Sequence, residues 1–201
     1  ATGNPFLGIG RSAGGNGTGL VDGVGSKIEL IGTNESATIV HVGRDGGVGL
    51  LTIRNGGNLS VSDPNATNGS GSASGENITV GRNGGNGTMI VDNASVTMDS
   101  IGSFLFVGRD GGTGSVTIKN NASFLVSDHG AAGDAGANAT VGWNGGGSGS
   151  LTILDSQLTI HSDNNFAGMF VGRDDASTTG NLLVSGATAQ VNITGNGNET
   201  G

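Results

Sequence analysis

Apolar residues alternate with polar ones along this chain in short runs, and three such runs accompany each copy of a recurring glycine-arginine block. The first run sets Leu7/Ile9, Val40/Val42, Ile78/Val80, Leu105/Val107, Ala139/Val141 and Met169/Val171 on one face. The second sets Gly19/Val21, Leu51/Ile53, Met89/Val91, Val116/Ile118, Leu151/Ile153 and Leu182/Val184. The third sets Ile28/Leu30, Leu59/Val61, Val96/Met98, Phe124/Val126, Leu158/Ile160 and Val191/Ile193. A spacing of two predicts strands rather than helices. The Gly, Asn and Asp clusters between the runs predict turns. Across six repeats, Gly19 alone breaks the apolar face.

The block itself reads Val42-Gly43-Arg44-Asp45, Val80-Gly81-Arg82-Asn83, Val107-Gly108-Arg109-Asp110, Val141-Gly142-Trp143-Asn144 and Val171-Gly172-Arg173-Asp174, after a degenerate Ile9-Gly10-Arg11-Ser12. An internal period of this size means stacked repeats, each unable to bury its apolar face alone. Pairing each strand with its equivalent in the next repeat predicts an all-β fold. It is a parallel β-helix, or β-solenoid, with three strands per coil and about six coils. Right-handed winding is expected from the handedness of parallel crossovers. Residues 1–201 form a single solenoid domain or a segment of a longer array, about 29 Å long at ~4.8 Å per coil. Segments 63–76 and 129–138 are expected to bulge outward as loops. An antiparallel sandwich would not require matched positions in every repeat.

Composition narrows the function. The chain has 201 residues, 43 of them Gly, and no Cys, which leaves neither a disulfide scaffold nor a thiolate metal site. A net charge of -8 argues against nucleic acid as a partner. No apolar stretch approaches the roughly 20 residues of a membrane-spanning helix. No signal peptide is visible and the first residue is not Met, so the chain reads as a mature product or an excised segment.

Five arginines, Arg11, Arg44, Arg82, Arg109 and Arg173, share one repeat position, and Trp143 takes the sixth. A stacked basic row suits a sulfated or uronic polysaccharide. Asp or Asn follows four of these Arg, however, and unit charges ~4.8 Å apart repel by roughly 0.9 kcal/mol even in water. A structural corner ladder of Arg with acidic partners is the stronger expectation. A second ladder is expected at Asn55, Asn93, Asn120 and then Asp155, with side-chain amides bonded along the stack.

Gly14-Gly15-Asn16-Gly17, Gly46-Gly47-Val48-Gly49, Gly84-Gly85-Asn86-Gly87 and Gly111-Gly112-Thr113-Gly114 match the front of a calcium-roll motif. The ligand Asp position holds Gly19, Leu51, Met89 and Val116, so no calcium of this type and no cofactor is expected. His41, His129 and His161 lie at different repeat phases, and Lys27 and Lys119 are isolated. Asp63, Asp99, Asp128 and Asp163 read as a solvated corner. No nucleophile–base pairing is visible, and the chain is not read as an enzyme. Asn-x-Ser/Thr sequons such as Asn65-Ala66-Thr67 and Asn93-Ala94-Ser95 follow largely from the turn chemistry. The outward first-strand position holds Gly8, His41, Thr79, Phe106, Thr140 and Phe170. With Phe104 beside them, Phe106 and Phe170 make a candidate contact patch, unless the loop around Phe166 folds over it.

The strings Val-Gly-Arg-Asp-Gly-Gly-Thr-Gly-Ser-Val-Thr-Ile (107–118) and Leu-Leu-Val-Ser-Gly-Ala-Thr-Ala-Gln-Val-Asn-Ile-Thr-Gly (182–195) resemble strand repeats of large exported bacterial surface proteins. Similar repeats occur in autotransporter passengers and in very large adhesins with calcium-binding repeats. The resemblance implies a β-solenoid of the cell exterior, engaged in adhesion or a biofilm matrix, and transfers no catalytic or ligand residue. The expectation is thus a non-enzymatic extracellular solenoid acting as adhesin stalk, surface fibre or filament subunit. The alternative is a β-helix that binds or modifies polysaccharide. Neither end reads as a cap, and Val21–Gly32 parallels Val184–Gly195. Head-to-tail copies of the chain, or adjoining repeats of the same chain, are therefore the expected partners.

Overall fold

The computed structural model describes residues 5–32, 38–63 and 76–197. Its strands, numbered β1 to β18 in chain order, form three six-stranded sheets. The first sheet stacks β1 (Phe6–Arg11), β4 (Ile39–Arg44), β7 (Glu76–Arg82), β10 (Ser103–Arg109), β13 (Ala137–Trp143) and β16 (Ala167–Arg173). The second stacks β2 (Asn16–Asp22), β5 (Val48–Arg54), β8 (Asn86–Asp92), β11 (Thr113–Lys119), β14 (Ser148–Leu154) and β17 (Thr179–Ser185). The third stacks β3 (Lys27–Ile31), β6 (Asn58–Ser62), β9 (Ser95–Ser100), β12 (Ser123–Asp128), β15 (Gln157–Ser162) and β18 (Gln190–Thr194). Each sheet takes every third strand and its neighbouring strands pair in parallel, so the chain winds through six coils of three strands.

The register matches the alternation read from sequence. Val107 pairs with Val80, Ile118 with Val91 and Val126 with Met98, so equivalent apolar side chains form rows along the axis. In the four middle coils every inward side chain of the three runs is at most 1% exposed. Each such Val, Leu, Ile, Met or Phe removes roughly 1.5–3 kcal/mol worth of apolar surface from water, which is why stacking rather than any single coil holds the fold.

The block glycines mark where one sheet turns into the next. Gly81 has φ of 74°, and an added Cβ would run into the carbonyl of Thr113 in the following coil. Backbone conformation and backbone crowding both require glycine there. The residue two places on also has positive φ, from 49° to 75° at Asp45, Asn83, Asp110, Asn144 and Asp174. Asn and Asp tolerate that left-handed conformation better than other non-glycine residues.

The ends differ. In the first coil Ile9, Val21 and Leu30 are 8%, 4% and 7% exposed. In the last, Val171, Leu182, Val184 and Ile193 are 44%, 39%, 41% and 44% exposed. Gly19 explains part of the contrast: Ile9 Cδ1 lies 2.8 Å from where its Cβ would sit, so Ile9 leans across the vacated place.

The predicted loop at 63–76, with its sequon at Asn65, lies outside the described residues except at its two ends. The other predicted loop is a short pinned turn that gives way to strand at Ala137. Asp134 accepts from the Ala131 amide at 2.8 Å, and the Asn165 side chain bonds Ala131 and Gly133.

Candidate functional site

The positive-φ glycine of each block turns the following residue onto the outer face of the first sheet, beside the outward side chains of that strand. Arg11, Arg44, Arg82, Arg109, Trp143 and Arg173 pair in register along that edge. The next residue alternates along the stack as Asp45, Asn83, Asp110, Asn144 and Asp174. Alternation keeps like carboxylates off adjacent coils, where they would repel by roughly 0.9 kcal/mol in water. Asn83 donates to Asp45 at 2.9 Å and Asn144 to Asp110 at 3.3 Å.

Each aspartate lies against a side-chain nitrogen from its own coil and another from the coil before. Asp45 lies 3.0 Å from Arg44 Nε and 3.9 Å from Arg11 Nε. Asp110 lies 3.1 Å from both Arg109 Nε and Arg82 Nε. Asp174 faces Arg173 Nε at 3.1 Å and accepts from Trp143 Nε1. The Asn83 amide, and behind it Arg44, hold the Asp45 carboxyl below the usual carboxylate range, burial opposing. Five arginines thus share three aspartates on this row, a cationic stripe on a chain of net charge -8.

At the second corner charge alternates in sign along the register: Asp22, Arg54, Asp92, Lys119. Arg54 reaches Asp22 at 2.7 Å and Lys119 reaches Asp92 at 3.1 Å. The expected amide ladder takes a different form here. Asn55 donates to Asp22 at 2.8 Å and Asn120 to Asp92 at 2.6 Å, because a carboxylate accepts more strongly than a neutral amide. Asn55, Asn93 and Asn120 all have positive φ, which accounts for their identity independently of side-chain bonding.

The expectation of a solvated acidic corner holds for Asp99 and Asp163 and fails for Asp63 and Asp128, which are buried. Asp128 accepts from Gly102 N at 2.7 Å, Ser162 Oγ at 2.6 Å, Asn165 Nδ2 at 3.1 Å and Gly130 N at 3.2 Å. A carboxylate so fully bonded ties coils together beneath the 129–136 turn. The positions where a calcium roll would place its Asp, at Leu51, Met89 and Val116, point into the core.

The aromatic patch is a stacked cluster rather than an open face. Phe106 is buried, while Phe104 and Phe170 are half-buried. The Phe104 and Phe106 rings stack 5.9 Å apart, and Trp143 lies 5.0 Å from Phe106 at an interplanar angle of 18°. Arg109 sits 4.6 Å from the Phe106 ring centre and 4.2 Å from that of Trp143. Arg173 lies 4.1 Å over Phe170, whose other neighbour is Phe166 at 5.9 Å. Thr140 pairs with both Phe106 and Phe170, so a small residue falls between two aromatic rungs. The gap is a half-open pocket of about 110 Å³. Asn138 and Thr140 line it with the Phe104 and Phe106 rings, and Arg109, Trp143 and Arg173 complete the wall. Burial pushes the Arg109 guanidinium below its ordinary value, with Asp110 opposing.

His41, the outward rung of the second coil, is only 2% exposed. Its Nδ1 lies 3.0 Å from Arg44 Nη1, and the Phe6 ring meets it edge-on at 5.5 Å. Burial, then the Arg44 charge, push its pKa down to about 3. It is a neutral imidazole accepting from arginine. No family model, curated protein or solved structure matches the chain.

Proposed function

We propose that this chain is a non-enzymatic structural β-solenoid of the cell exterior, serving as an adhesin stalk, surface fibre or filament subunit. The observation that carries the reading is the last coil. Its three strands continue the ladders in register, yet four of its six inward side chains, Val171, Leu182, Val184 and Ile193, are open to water. That surface is completed by another coil, from a second copy of the chain or from adjoining repeats of the same chain. Likeness to strand repeats of exported surface proteins supports the exterior setting.

Magnitudes say how such a junction holds. Covering four side chains that are each about two-fifths exposed contributes about 4 kcal/mol. Association costs an estimated 4–15 kcal/mol or more, so apolar burial alone leaves little surplus. Three strand edges, of seven, seven and five residues, must pair as well. At roughly 1 kcal/mol net per hydrogen bond, they supply the remainder.

Sedimentation velocity at micromolar concentration tests this reading. The wild-type chain is expected to form higher assemblies, and Val184→Asp with Ile193→Asp to sediment as a monomer. A wild-type chain that stays a single monomer contradicts it. The second reading, a polysaccharide-binding β-helix, is favoured by one observation, the pocket between Phe106 and Arg173.

A further inference from the structure

We propose that this pocket binds a uronic acid unit of a polysaccharide, stacking the sugar ring on Trp143 and Phe104 and pairing its carboxylate with both Arg109 and Arg173. The proposal deepens the second reading and does not depend on the open end of the solenoid.

Size gives the first argument. A volume of about 110 Å³ lies well below the roughly 300–1,000 Å³ that encloses a whole small ligand. It fits one ring of a molecule that continues along the surface. The site lies on the outer face of a sheet whose rungs repeat every ~4.8 Å along the axis, a direction that a chain molecule can follow.

The walls give the second argument. Phe104, Phe106 and Trp143 contribute aromatic rings and Arg109 and Arg173 guanidinium groups, flat groups of the kind that suit the C–H face of a sugar. Asn138 and Thr140 at the base offer an amide and a hydroxyl to ring hydroxyls. Thr140 Oγ1 lies 3.4 Å from Asn138 Oδ1, a long contact that hydroxyls of a ligand can replace.

Charge gives the third. Arg109 and Arg173 each meet their own aspartate through Nε at 3.1 Å, a single contact from a group with five N–H donors. Asp110 is also shared with Arg82, so Arg109 is only half-neutralised. A carboxylate meeting the terminal nitrogens would form a charge-assisted pair in a partly desolvated site. The stripe carries a surplus of only two arginines over aspartates. Nucleic acid, which presents a charge at every residue, is repelled by the remaining acidic surface. A polysaccharide with isolated acidic units is not.

Trp143 is the chain's single Trp and there is no Tyr, so intrinsic emission reports on this site alone. The experiment titrates the wild-type chain with a galactose tetrasaccharide bearing one galacturonic acid unit, and with its all-galactose counterpart. A saturable change in Trp143 emission is expected, with the acidic sugar binding about tenfold tighter at low salt. Arg173→Gln, at a rim position, and Arg109→Gln should each cut that preference, and Arg44→Gln, on the same row but away from the pocket, should leave it. Calorimetry on Trp143→Ala should show binding of both sugars lost. Thermal midpoints establish that each variant folds, and Arg173→Gln stands as the test if Arg109→Gln does not. The proposal is overturned by no saturable change with either sugar or by equal affinity for the two. It is overturned equally by a preference that survives Arg173→Gln, or by tighter binding of a single-stranded oligothymidylate.

Discussion

The first coil buries or half-buries all its large inward side chains and the last leaves four of its six exposed, although both are written in the same alternating pattern and Val21–Gly32 parallels Val184–Gly195 in sequence. One coil has a glycine where the pattern calls for a large side chain, and Ile9 leans into the place. The other has Leu182 there, which stands out toward solvent. An inward-facing position is therefore buried only when something lies above it, and pattern alone does not say whether anything does.

This contrast gives a graded set of expectations. The largest effect belongs to the middle of the stack. Ile118→Asp buries an unpaired carboxylate among rows closed on both sides and should abolish cooperative unfolding or lower stability by more than ~4 kcal/mol. The same change at Ile193 puts the charge at a half-open position and should cost about 1 kcal/mol or less in urea titration. Equal losses at the two sites would erase the distinction between closed and open coils.

Acid should act next, and through the closed end. His41 stays neutral in the fold down to a pKa of about 3, whereas in the unfolded chain it gains a proton below about 6.5. The unfolded state then binds more protons, so stability falls as pH drops through that window, by up to about 3 kcal/mol at pH 4. His41→Gln should flatten the slope between pH 6.5 and 4, leaving a fall below about pH 4. That residual fall belongs to Asp22, Asp45, Asp92 and Asp175, whose carboxyls are held below the usual range by bonded Arg54, Asn83, Asn120 and the Ser177 amide in turn. An unchanged slope in the variant would remove His41 from the account.

Smaller still is the effect of breaking alternation in the corner ladder. Asn83→Asp sets three carboxylates in consecutive coils and should destabilise by about 1 kcal/mol, less in high salt. Asp174→Asn, at the open end, should change less. Excess chelator should leave the circular dichroism spectrum as it is, because the calcium-roll ligand position faces the core. Collapse of the β signal would revive a metal-dependent fold.

The core was legible because alternation, register and repeat are one regularity: once Val80, Val107 and Val141 are aligned, their pairing in the first sheet follows. The block glycines were legible as landmarks but not as causes, since the crowding of Gly81 against Thr113 exists only between coils. The same applies to Asn55 and Asn120, whose partners in Asp22 and Asp92 come from a neighbouring coil. Asp128 looked solvated because its burial depends on Asn165 and the 129–136 turn. The pocket was half legible. Phe104, Phe106 and Phe170 stood out, but Trp143 passed as a replaced arginine and Thr140 as one more polar rung. The useful signal was there: a small residue between two aromatics at one repeat position leaves a notch on the surface.

The central claim, that the ladders run on past the last coil as a continuous rod, is tested most directly by diffraction from oriented assemblies of the wild-type chain. The account predicts a meridional reflection at ~4.8 Å, with strands perpendicular to the fibre axis and coils stacked without interruption across junctions. Filaments whose axial repeat exceeds six strand spacings, about 29 Å, so that a gap separates successive six-coil bodies, would contradict the account, and so would a preparation that yields no filaments at all.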